Sequence, residues 1–109
     1  MERKGLYIAK INSLRDLKEN WNGYNGEKFT KELCDFAISI INKLEYQPEI
    51  FPTGRGSIQF EYERDNKYLE FEIYSSKRIE MFRILESGEE IERSVDLDEL
   101  IKLVKEFGK

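Results

Sequence analysis

Between Ser57 and Leu85 the chain alternates strictly enough to dictate its architecture. Ile58, Phe60 and Tyr62 interleave with Gln59, Glu61 and Glu63. Leu69, Phe71 and Ile73 interleave with Tyr68, Glu70, Glu72 and Tyr74. A period of two sends successive side chains to opposite faces of a β-strand. The pattern predicts a sheet with one apolar face against a core and one face of carboxylates and tyrosines. Asp65-Asn66 suits a two-residue hairpin turn. That register sets Tyr62 opposite Leu69, Phe60 opposite Phe71 and Ile58 opposite Ile73, apolar against apolar. A three-residue loop at Ser75–Lys77 would pair Ile73 with Ile79 and Phe71 with Met81. Four strands are expected, over 57–64, 67–74, 78–85 and 90–95. A turn at Ser87-Gly88 leaves Phe82 and Ile84 on the face away from the core and Arg83 and Arg93 on the core side. The fourth strand is therefore read either as an edge or as a segment that bends away.

Helices flank the strands. Ile8, Ile11, Leu14, Leu17 and Trp21 recur near helical spacing, which predicts a first helix within 7–20. The alternative is a shorter helix capped by Ser13 with Asp16. Trp21-Asn22-Gly23-Tyr24-Asn25-Gly26 stops it in tight turns. Thr30 is an N-cap for a second helix, with Leu33, Phe36, Ala37, Ile40, Ile41 and Leu44 as its apolar stripe. Pro48 ends it near Gln47. The segment 48–56 then reads as an irregular crossing with Ile50 and Phe51 tucked inward. Asp96 and Glu99 form a capping-box pair for a last helix, whose stripe is Leu97, Leu100, Ile101, Val104 and Phe107, with Gly108 as its stop. The expected order is ααββββα, a single two-layer α+β domain with the helices on one face of an antiparallel meander.

A chain of 109 residues with 39% hydrophobic and 13% aromatic content suffices for one core. Net charge is −4, and nearly all of the excess lies in Ser57–Asp96, with 11 Asp/Glu against 6 Lys/Arg. A basic nucleic-acid footprint is missing, so direct nucleic-acid binding is disfavoured and a basic partner surface is favoured. No apolar run reaches membrane-spanning length, and Met1-Glu2-Arg3-Lys4 is followed by no signal-peptide core. With one cysteine, Cys34, and no internal disulfide, the reading is cytoplasmic.

Little in the chain suggests catalysis. There is no histidine, which removes the commonest general base and the usual nucleophile pairings and zinc sites. A metal site built from Glu61, Glu63, Glu70 and Glu72 would need six or more converging oxygens, whereas side chains on a strand face diverge. Gly54-Arg55-Gly56 lacks the Lys-Ser/Thr of a phosphate loop and leads into a strand, so it reads as a flexible entry carrying Arg55 as a contact residue. Cys34 beside the helical stripe reads as a small buried apolar residue. Trp21 and Tyr24 read either as core packing at a turn or as an aromatic pair at a binding surface.

The acidic face has two readings. The register places Glu61 opposite Glu70 and Glu72 opposite Glu80, an arrangement that costs a few tenths to about 1 kcal/mol per pair. The face is either simply solvated, with the repulsion softened by Arg64, Lys67, Lys77, Arg78 and salt, or it is a docking surface with Tyr68 and Tyr74 as amphipathic contacts.

Leu17-Lys18-Glu19-Asn20-Trp21-Asn22-Gly23-Tyr24-Asn25-Gly26 and Phe51-Pro52-Thr53-Gly54-Arg55-Gly56-Ser57-Ile58-Gln59-Phe60-Glu61-Tyr62 together resemble small bacterial and mobile-element proteins. Those proteins carry a W-x-G-Y motif and a later P-T-x-x-G-x-I-x-x-E-W/Y motif. The likeness covers about the first two-thirds of the chain and departs at Asn25-Gly26, where the family often has Ala. The resemblance implies a bacterial or phage accessory protein acting on another protein, and carries over no catalytic residue.

The expectation is a non-enzymatic binding protein without a cofactor: an inhibitor, antitoxin or phage anti-defence protein directed at a protein with a basic surface. Its first patch is Glu61, Tyr68, Glu70, Glu72 and Tyr74; its second is Trp21, Tyr24 and Arg55. The competing readings are a carboxylate-metal hydrolase and an oligomeric sponge for a nucleotide-like ligand held by Arg55 and aromatics. Self-association is suggested by Phe82 and Ile84 if they face outward.

Overall fold

Five segments of alternating or apolar sequence pair in chain order. In a computed structural model, which describes residues 3–17, 21 and 29–108, the elements run α1 (Arg3–Leu14), α2 (Lys31–Ile41), β1 (Glu49–Pro52), β2 (Ile58–Arg64), β3 (Lys67–Ile73), β4 (Ile79–Ile84), β5 (Glu90–Val95) and α3 (Leu97–Phe107). The strands form one antiparallel sheet ordered β1-β2-β3-β4-β5. The α+β class and the meander agree with the sequence pattern, as do the registers Ile58–Ile73, Phe60–Phe71, Tyr62–Leu69, Ile73–Ile79 and Phe71–Met81.

The strand count differs: among the described residues there are five, not four. Glu49–Pro52, expected as an irregular crossing, is an edge strand with Ile50 opposite Phe60 and Phe51 opposite Gln59. Ile50 is buried as anticipated, but Phe51 is 41% exposed, because strand geometry sends it to the other face. Four residues give too short a period to tell a strand from a loop, and Pro52 argues against a strand except at an edge. The first helix starts earlier than 7–20 and ends at Leu14. Ser13 does not cap it, because its hydroxyl donates back to the Lys10 carbonyl within the helix. The second helix ends at Ile41 rather than near Gln47, and the Gln47 amide donates to the Ile41 and Leu44 carbonyls beyond its end. Thr30 caps α2 through its hydroxyl and Asp96 caps α3 in a full capping box with Glu99, both as predicted.

Three hairpin loops share one design. Gly54-Arg55-Gly56, Ser75-Ser76-Lys77 and Glu86-Ser87-Gly88 are three-residue loops closed by Thr53 N–H to Ser57 O, Tyr74 N–H to Arg78 O and Leu85 N–H to Glu89 O. Each puts its third residue at positive φ: 74° for Gly56, 72° for Lys77 and 93° for Gly88. Glycine takes this conformation freely, whereas at Lys77 it costs roughly 1–2 kcal/mol.

The core lies between the helices and the inward sheet face. Ile50, Ile58, Phe60, Leu69, Phe71, Ile73, Ile79 and Met81 bury against Ile11, Leu33, Ala37, Ile40 and Ile41 and against Leu100, Val104 and Phe107. Cys34 is buried in the same cluster. Arg93 and Arg83 do fall on this side of the sheet, but toward its periphery: Arg93 is exposed and ion-paired with Glu99, and Arg83 is half-buried opposite Leu69 and Ile91. No helix among the described residues is long and apolar enough to cross a membrane.

Candidate functional site

The outward sheet face is built in rows. One row crosses five strands as Glu49, Glu61, Glu70, Phe82 and Glu92; the next runs Phe51, Gln59, Glu72, Glu80 and Ser94. The loop hydrogen bonds fix which cross-strand pairs are close. Because Thr53 and Ser57 bond each other, the odd-numbered residues of β2 face β1 and the even-numbered ones bond β3. Glu61 and Glu70 are therefore a non-hydrogen-bonded pair, the closer of the two kinds. Glu72 and Glu80 form the wider, hydrogen-bonded kind, since Tyr74 bonds Arg78.

The two pairs are resolved differently. The Glu72 carboxylate accepts from Arg55 Nε at 3.1 Å, Arg55 Nη2 at 2.9 Å and Ser57 Oγ at 2.5 Å. Burial pushes its pKa up, but the hydrogen bonds from Ser57 and Arg55 more than offset that and hold it below the ordinary glutamate value. Glu80 accepts from the Ser94 hydroxyl and lies 3.7 Å from Arg78 Nε. Glu61 and Glu70, by contrast, meet no Lys or Arg among the described residues. One amide serves both: Gln59 Nε2 lies 3.1 Å from Glu61 Oε2 and 3.3 Å from Glu70 Oε1. The Tyr68 hydroxyl donates to Glu70 Oε1 at 2.5 Å. Burial and then the Glu70 carboxylate raise the Tyr68 pKa, so the phenol keeps its proton and stays a donor. Two opposed charges are thus held by neutral donors.

The sequence-predicted residues divide accordingly. Glu61, Tyr68 and Glu70 form one cluster. Glu72 joins Arg55, which had been assigned to the second patch; Tyr74 lies beside them under the Arg78 guanidinium, 4.1 Å from its ring centroid. Trp21 is half-buried with its ring 5.8 Å from that of Phe29 and packs on the core. Tyr24 lies outside the described residues. Phe82 and Ile84 do face outward, but they are half-buried; Phe82 stacks edge-on with Tyr68 at 6.2 Å. Gln59, Ser57, Thr53 and Glu49 escaped sequence reasoning. Gln59 is visible as the one uncharged position on the acidic side of its strand, and Glu49 was hidden because its strand was not recognised.

The Pro52–Tyr62 stretch has local physical work to do. The Thr53 hydroxyl accepts from the Arg55 and Ser57 amides and shares a 2.6 Å bond with Ser57 Oγ. Tyr62 donates to the Tyr46 carbonyl at 2.7 Å. The loop is a wound turn that places Arg55 over Glu72. Among the described residues no three Cys, His, Asp or Glu side chains converge to hold a metal ion. The chain matches no family model, no curated protein and no solved structure.

Proposed function

We propose that this chain is a non-enzymatic binding protein that docks on a basic protein surface through the outward face of β1, β2 and β3. The observation that carries this reading is the Glu49–Glu61–Glu70 row, three carboxylates on three adjacent strands, with Glu61 and Glu70 held by neutral donors and by no cation among the described residues. A fold selected only for stability would place a Lys or Arg among them, because like charges opposite each other are destabilising. A basic partner would supply the missing countercharge, raising association rate and specificity. Tyr68, Phe82 and Tyr74 would add amphipathic area at the same face. The resemblance in the W-x-G-Y and P-T-x-x-G-x-I-x-x-E-Y stretches supports a bacterial or phage accessory protein, and an inhibitor, antitoxin or anti-defence protein is the form proposed. The sponge reading draws no support from Arg55 and Trp21, which are tied to Glu72 and Phe29.

The test is capture from a lysate of the source cell with three immobilised proteins. These are the wild type, Glu61→Lys/Glu70→Lys, and the charge-matched Asp98→Lys/Glu106→Lys on α3. A partner held by the wild type and the α3 variant but lost by the sheet variant is the expected result. Equal retention by the sheet variant removes this face from the function.

A further inference from the structure

The sheet has two edges, and they are not equivalent. At β1 the strand is four residues long, α1 leans on it, and Pro52, whose position faces outward from β2, has no N–H to offer. At β5 the strand is six residues long, about 20 Å. Leu85 N–H bonds Glu89 O, and antiparallel ladders alternate. Ile91, Arg93 and Val95 therefore turn their peptide groups toward β4, while Glu90, Glu92 and Ser94 turn theirs away from the sheet. The side chains of these same three residues lie on the outward, acidic face.

We propose that this edge accepts a basic, extended segment of the partner as a sixth, antiparallel strand. The proposal rests on the reading above that the partner is basic. Directly opposed residues in an antiparallel pair share a face, so partner positions facing Glu90 and Glu92 fall on the acidic side and take Lys or Arg. The intervening partner position falls beside half-buried Ile91 and takes a small apolar or β-branched residue. The recognised pattern is basic–apolar–basic in an extended strand, with main-chain bonds supplying affinity and alternate side chains supplying selectivity. The same charges discourage a second copy of this chain. A two-fold pairing centred on residue 92 opposes Glu92 to itself, one centred on 91 opposes Glu90 to Glu92, and one centred on 93 opposes Arg93 to itself. The edge is thus guarded against itself and open to the opposite charge.

The probe is an acetylated heptapeptide, Lys-Val-Lys-Thr-Lys-Val-Lys, with its Lys→Glu counterpart as control, added to isotopically labelled full-length protein. The amides of Glu90, Glu92 and Ser94 are expected to gain at least tenfold protection from hydrogen exchange with the lysine peptide and none with the glutamate peptide. Ser94→Pro removes an outward N–H, costs no main-chain bond to β4 and keeps both glutamates; it also loses the Ser94 hydroxyl bond to Glu80, which Ser94→Ala removes alone. Ser94→Pro is expected to weaken the peptide at least tenfold and Ser94→Ala to leave it unchanged. No binding, protection that omits these three amides, or undiminished binding to Ser94→Pro overturns the edge proposal. Peptide binding that survives Ser94→Pro but is lost in Glu61→Lys/Glu70→Lys locates the site on the sheet face and leaves that reading standing. The reverse pattern assigns peptide binding to the edge, as proposed, and leaves the sheet face to the capture experiment above.

Discussion

Glu72/Glu80 and Glu61/Glu70 are the same motif met twice, one row apart, and the protein treats them in opposite ways. The wider pair is neutralised from within: Arg55 and Ser57 grip Glu72, and Ser94 and Arg78 attend Glu80. The closer pair, where repulsion is stronger, receives among the described residues the amide of Gln59 and the phenol of Tyr68 and no cation. Acidic patterning alone therefore does not mark a functional surface. One half of the pattern is a structural clasp that fastens the 54–56 loop to the sheet. The other half meets no cation among the described residues, and the docking proposal rests there.

This contrast can be broken at several points. The largest effect belongs to the clasp. Glu72→Ala leaves the Ser57 hydroxyl and the Arg55 guanidinium without their acceptor and should cost about 2 kcal/mol in urea unfolding. Loss of under 0.5 kcal/mol would mean the clasp is ornamental. Next is acid sensitivity. The Glu72 carboxyl titrates below its ordinary value of 4.5 when folded. Its contribution is thus present above about that pH and is lost as pH falls through the lower folded value. Wild type should lose stability below pH 4.5 more steeply than Glu72→Gln, and parallel acid limbs would contradict the assignment. Smaller still, Glu70→Gln removes a repulsion of a few tenths to about 1 kcal/mol while keeping a hydrogen-bonding side chain. It should leave stability unchanged or raised, as read by the urea midpoint. Arg78→Ala breaks an exposed, 3.7 Å pair with Glu80 and an exposed guanidinium contact with the Tyr74 ring, and should shift the midpoint by no more than about 1 kcal/mol.

Much of this is legible in the sequence. The alternation over residues 58–73 has a period of two and two turn signals of fixed length, so apolar matching left one register for β2, β3 and β4. The Asp96/Glu99 capping box and the Thr30 cap are short-range chemistry and need no tertiary context. Residues 49–52 carried too few positions to show a period, and their pairing is decided by Phe60 and Ile58 across the strand. The candidate site was half legible for a related reason. Which carboxylates oppose one another follows from register, but which are neutralised depends on where a loop carries Arg55 and on the side chain of Gln59. Neither is local in sequence. On the docking proposal the weight therefore lies on Glu61 and Glu70, while Glu72 and Arg55 serve the loop.

On the docking proposal, the closer pair is kept acidic at the expense of the fold. Paired charge reversals measure it directly: urea midpoints of Glu61→Lys and Glu72→Lys at low ionic strength against wild type. A lysine at 61 stands between Glu49 and Glu70 and should raise the midpoint, whereas a lysine at 72 faces Arg55 and should lower it sharply. A Glu61→Lys protein less stable than wild type would show that the acidic row supports the fold, and the case for a docking face would fall with it.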